Sequence, residues 1–141
     1  MLRETGFIVV LLTDADMNEL DQAVNSFCNS LSRDDIAQFY FAGHRVEATV
    51  PCGGYEVRSN WLIAKEVPTR NSELQRKAID AINLLRNMEA KRTRFNVMIV
   101  DVCRDDALPA GYEFQDVQGL RPMHATNSLV VLRVRTRRTS C

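Results

Sequence analysis

Two residues in this sequence have the types and the placement for nucleophilic catalysis, His44 and Cys103. A thiol attacks well only as a thiolate, and a nearby imidazole is the usual base that generates one. Each residue follows an apolar run. Ala37-Gln38-Phe39-Tyr40-Phe41-Ala42 leads into Gly43-His44, and Phe95-Asn96-Val97-Met98-Ile99-Val100 leads into Asp101-Val102-Cys103-Arg104. The two lie 59 positions apart, so only the fold can bring them together. Sites on open α/β sheets form at the carboxyl ends of strands. If the two runs are adjacent parallel strands, both side chains reach one rim. A competing reading takes His44, Cys52 and Cys103 as metal ligands, but no obvious fourth ligand stands with them.

The other cysteines carry less. Cys28 falls in a helical pattern and reads as a core filler. Cys52 stands in a loop before Gly53-Gly54, and Cys141 is the last residue. The successive spacings of 24, 51 and 38 residues match neither a disulfide framework nor a paired zinc motif. No metal or cofactor is expected.

The elements that must position the pair can be read from apolar periodicity. Phe7 to Leu12 is a continuous apolar run and predicts a buried parallel strand. Thr13 to Asp16 offers helix N-caps, and Leu20, Val24, Phe27 and Leu31 share one face of a helix that should end near Ser32. The His44 strand comes next. A long loop is expected from Arg45 to about Ser59, and Asn60 to Ala64 reads as a short strand. Leu74, Ala78, Ile79, Ile82, Leu85 and Met88 then predict one helix. The Cys103 strand, a polar loop from Asp105 to about Asn127, and a last strand at Ser128 to Leu132 complete the order. Strands alternating with helices imply an α/β fold with a mostly parallel sheet.

Composition narrows the class. The 141 residues suit one domain, and 45% of them are hydrophobic, enough for a core. Lys plus Arg and Asp plus Glu each number 18, which argues against nucleic acid as the main partner. No apolar stretch approaches the roughly 18–20 residues that span a bilayer, and the first residues lack a signal-peptide layout. A cytoplasmic domain is expected. The Arg-rich end, Arg133 to Arg138, reads as a solvated terminus.

At the two motifs the sequence resembles the caspase-like cysteine peptidases, with paracaspases and metacaspases the nearest branches. Phe39-Tyr40-Phe41-Ala42-Gly43-His44 resembles their His strand, and Asn96 to Arg104 resembles their Cys strand. The helix from Met17 to Leu31 sits where that family places one. The resemblance implies a three-layer α/β sandwich over residues 1–135, with 136–141 a disordered basic tail. Relative to the family, a strand and helix before Leu2–Thr13 and the small-subunit region are missing, so the sandwich should be incomplete at both ends.

The resemblance also implies roles. Cys103 would attack a peptide carbonyl and His44 would handle the proton. The backbone N–H groups of Cys103 and Arg45 would hold the oxyanion. Arg45 departs from the glycine usual there. Asp101, two residues before the cysteine, would line the primary specificity pocket and favour cleavage after Arg or Lys. The implied partners are a protein or peptide substrate and a caspase-like homo- or heterodimer mate. The alternative is a catalytically impaired homologue acting as a regulatory or dimerisation module, a reading that Arg45 favours.

Overall fold

The computed structural model describes residues 2–103 and 122–135. In chain order the elements are α1 (Met17–Ser30), β1 (Ile36–Gly43), β2 (Arg45–Cys52), β3 (Tyr55–Ile63), α2 (Leu74–Lys77), β4 (Ala78–Asp80), α3 (Ala81–Ala90), β5 (Phe95–Cys103) and β6 (Ser128–Arg135). They form two sheets. One is parallel, in the order β1-β5-β6, and the other is antiparallel, in the order β2-β3-β4.

Helix α1 starts where the sequence places its cap. Asp16 Oδ1 accepts from the Glu19 amide at 2.9 Å, and Glu19 Oε2 accepts from the Asp16 amide at 3.0 Å. This reciprocal capping box satisfies two donors that the first turn would leave unused. The apolar stripe Leu20, Val24, Phe27 and Leu31 packs, with buried Cys28, on the same core as Leu84, Leu85 and Met88 of α3. Both helices thus cover the face of the parallel sheet that carries Ala37, Met98, Val100 and Val102. The opposite face presents Ile36, Tyr40, Phe95, Leu129 and Val131 to solvent. The described residues therefore supply two layers of the expected sandwich.

Three local expectations need correcting. Phe7 to Leu12 forms no strand, and Ile8 is 99% exposed. Strand propensity is realised only by pairing, and β1 is hydrogen-bonded to β5 alone among the described strands. The expected loop from Arg45 to Ser59 is instead a hairpin in which β3 runs back along β2. Its turn is made by Gly53 at φ +55° and Gly54 at φ +90°. Two consecutive positive φ values suit a tight hairpin turn, which glycine enters without steric cost. Val46, Ala48 and Val50 alternate inward and form a second core with Trp61, Ile63, Leu74 and Ala78. Finally, the single helix expected from Leu74 to Met88 is interrupted by β4. Ile79 pairs with Leu62, and Asp80 then caps α3 by accepting from the Ile82 and Asn83 amides at 3.0 and 3.1 Å. A side chain that bonds its own next backbone amides favours a helix start over a helix interior.

The strands of the parallel sheet lie close to their predicted bounds, with β6 running on through Arg135. Arg133 to Arg135 are thus strand residues. Residues 105–121 of the expected loop and the tail 136–141 fall outside the described residues.

The exposed face of the parallel sheet generates a prediction. Contiguous exposed apolar surface favours association. The weight-average mass in sedimentation equilibrium should rise with concentration over the micromolar range. A double change of Leu129→Lys and Val131→Lys should return it toward the monomer value. Concentration-independent monomer behaviour of the unchanged chain would contradict this.

Candidate active site

The site is laid out by strand register. β1 and β5 are parallel neighbours, with Ala42 opposite Asp101 and Gly43 opposite Val102. The residues that follow, His44 just past β1 and Cys103 at the end of β5, occupy the same carboxyl edge at the level of the backbone. Gly43 packs closely under the Phe41 ring, which would have to shift by a few tenths of an ångström to admit a side chain there. A Cβ on it would stand 3.0 Å from the Phe41 ring, tighter than ordinary packing allows.

His44 is the single residue between β1 and β2, so it joins the two sheets. Its carbonyl accepts from the Ile63 amide at 3.0 Å, and its side chain is exposed. That bond has a consequence for Arg45. In an antiparallel ladder, hydrogen-bonded and non-hydrogen-bonded pairs alternate. His44 with Ile63 is a hydrogen-bonded pair, so Arg45 with Leu62 is not. The Arg45 N–H is therefore left out of the hairpin ladder and points away from β3.

The Arg45 side chain is half-buried, and its Nε and Nη1 atoms are sealed from solvent without an acceptor among the described residues. Burial pulls its guanidinium below the ordinary arginine range, with Glu47 pulling in the other direction. Glu47 has its own partner, Arg58, whose Nε donates to it at 2.8 Å.

Asp101 sits on the sheet face opposite the helices and is only 4% exposed. The Tyr40 hydroxyl donates to its Oδ2 at 3.4 Å, and Arg133 Nη1 lies 3.8 Å from the same oxygen. Sequence reasoning singled out the aspartate but left Arg133 in a solvated tail. Asp101 and Arg133 stand five residues into the paired runs that begin at Asn96 and Ser128, and register makes them neighbours. Asp105 and Asp106 lie outside the described residues.

The metal reading fails on distance. Cys52 ends β2 at the hairpin tip, eight residues of extended chain from His44, or about 26 Å at roughly 3.3 Å per residue. Among the described residues no three His, Cys, Asp or Glu side chains converge as a metal site, and no helix is long and apolar enough to cross a membrane.

Comparison with known proteins decides the family. The caspase domain family matches residues 1–135. The chain belongs to the caspase domain family. This caspase domain is also similar to the human mucosa-associated lymphoid tissue lymphoma translocation protein 1, at 30% identity over 115 residues. That alignment covers 77% of this chain and 13% of the human protein. The mouse homologue matches at the same identity and length, with 12% of it covered. The chain thus spans about an eighth of the length of these curated relatives. The similarity agrees with the paracaspase resemblance of the two motifs and with a parallel three-stranded sheet carrying helices on one face.

Thiol chemistry separates the described cysteines. Burial raises the Cys28 thiol above its ordinary value, against a smaller opposing pull from Lys91, whereas Cys52 is exposed. Iodoacetamide at pH 8, read by peptide mapping, should label Cys52 roughly tenfold or more faster than Cys28. The difference should vanish in denaturant. Equal rates in the folded chain would show that Cys28 is open to solvent.

Proposed function

We propose that this caspase domain carries the catalytic pair of a cysteine endopeptidase that cleaves after Arg or Lys. The observation that supports it best is the register of β1 against β5, which sets the residues following Gly43 and Val102 on one edge beside a buried carboxylate. His44 takes the Cys103 proton as the thiolate attacks the scissile carbonyl carbon. The carbonyl π electrons move to oxygen, and the Cys103 and Arg45 N–H groups stabilise the oxyanion. The geometry of the hairpin, which leaves the Arg45 N–H out of its ladder, supports that role. The intermediate collapses to a thioester as the C–N bond breaks, and His44 gives its proton to the departing amine. Water, deprotonated by His44, then attacks the thioester, releasing the acid and restoring the thiol. Asp101 supplies the negative charge that selects a cationic residue before the cleaved bond.

A second reading, a catalytically impaired dimerisation module, draws support from the exposed apolar face of the parallel sheet. The soluble cytoplasmic setting and the dimer mate belong to either proposal.

Two fluorogenic peptides that differ only in ending with Arg or Asp distinguish the readings. The Arg peptide should be cleaved faster by on the order of ten- to a hundredfold, from a charge-assisted contact of about 1.5–3 kcal/mol. Cys103→Ala should abolish turnover, and Asp101→Asn should erase most of the preference without changing the alkylation rate of Cys103. No cleavage of either peptide, or turnover surviving in Cys103→Ala, would overturn the peptidase reading.

A further inference from the structure

The acid at the edge of the parallel sheet already has a cation of its own chain beside it. Parallel register sets Arg133 of β6 directly opposite Asp101 of β5, so the two side chains leave the same face of the sheet. Arg133 Nη1 stands 3.8 Å from Asp101 Oδ2. The two ends of this pair differ in setting, since the Arg133 side chain is 65% exposed and that of Asp101 is 4% exposed.

This asymmetry makes the contact displaceable. A buried carboxylate gains from any nearby cation, because burial removes the water that would otherwise offset its charge. Strong guanidinium–carboxylate pairs, however, close to about 2.7–2.9 Å and are often bidentate. At 3.8 Å Arg133 offers charge without that geometry, and an exposed arm loses little by swinging into solvent. An incoming guanidinium or amidinium that reached full hydrogen-bonding distance would replace a loose contact by a tight one.

We propose that Arg133 is a built-in competitor at Asp101, so that a cationic ligand group enters only by displacing it. This rests on the reading of Asp101 as the specificity acid and adds a regulator to it. Arg133 sets how strongly the site favours a cation, and any event that draws β6 or its side chain away sharpens that preference.

The test measures binding apart from turnover. Benzamidine, a small amidinium probe, is titrated into the full chain carrying Cys103→Ala, at low salt, and followed by NMR. Arg133→Ala should lower its Kd about two- to fivefold, the range an exposed ion pair allows. Arg133→Lys, which keeps the charge, should stay near the unchanged chain. Arg133→Gln serves as a second neutral variant, and circular dichroism checks that each variant is folded. The gain should disappear when Asp101→Asn is added. An unchanged or weaker Kd in both neutral variants would overturn the proposal, as would a gain that survives Asp101→Asn. Peptide cleavage reports separately. Tighter benzamidine binding in a chain that cleaves nothing would sustain the competitor and sink the peptidase. Arg-directed cleavage with an unmoved Kd would do the reverse.

Discussion

The register of β5 is the constraint on which the site depends, and it is fixed at the opposite end of the strand. Asn96 is fully buried at the start of β5. Its Oδ1 accepts from Thr93 Oγ1 at 2.7 Å, and its Nδ2 donates to Ser128 Oγ at 3.3 Å. Ser128 Oγ donates onward to Glu89 Oε1 at 2.9 Å, and that oxygen also accepts from the Thr126 amide at 2.7 Å. Asn127 Nδ2 reaches the Thr93 and Arg94 carbonyls at 3.1 Å each. Buried polar groups must find partners. This network ties the end of α3 to the starts of β5 and β6 in one alignment. A slip by one residue would exchange the two faces of the strand. Val102 would then face solvent and Asp101 the apolar core. The placement of the edge residues some 20 Å away, at roughly 3.3 Å per residue, is in this sense set by an asparagine at the far end of the strand.

The second constraint is the sharing of β3 between two cores. Leu62 faces the core beneath the parallel sheet, while Trp61 and Ile63 face the one beneath the hairpin. Because side chains alternate along a strand, one strand can brace both layers. His44 sits at the point where the chain passes from the first sheet to the second. Its position is therefore held from β1 on one side and from the Ile63 amide on the other, although its own side chain is exposed.

Much of this was legible in the sequence, and the misses share a cause. The parallel strands were readable because β1 and β5 are apolar on consecutive positions and are flanked by helices, and α1 was readable because its cap and stripe are both local. The hairpin differs from the expected loop because its strand signal is short: Val46, Ala48 and Val50 alternate with Arg45, Glu47 and Thr49, as in a half-buried strand, and Gly53-Gly54 make its turn. Phe7 to Leu12 departs from its expected strand for the opposite reason. Its residues have the right character for a strand, but pairing is a property of neighbours and not of a segment. The break at Ala78–Asp80 hides inside a spacing that suits a helix, since Ile79 fills a core position in either conformation. For the site, the Asp101–Arg133 contact depends on the alignment of two strands 32 residues apart, which no single run of residues reveals.

The placement of Trp61 has an optical consequence. It is the chain's one tryptophan, 5% exposed, with its indole Nε1–H donating to the Ala48 carbonyl at 3.1 Å. Intrinsic fluorescence excited at the red edge of aromatic absorption therefore reports the hairpin sheet and says little directly about the parallel one. Circular dichroism sums over both. If the sheets lose structure as one cooperative unit, the two signals trace a single curve on denaturation. If the hairpin opens first, tryptophan emission shifts to the red while helical ellipticity persists, and the second sheet on which His44 is anchored is revealed as a separable layer.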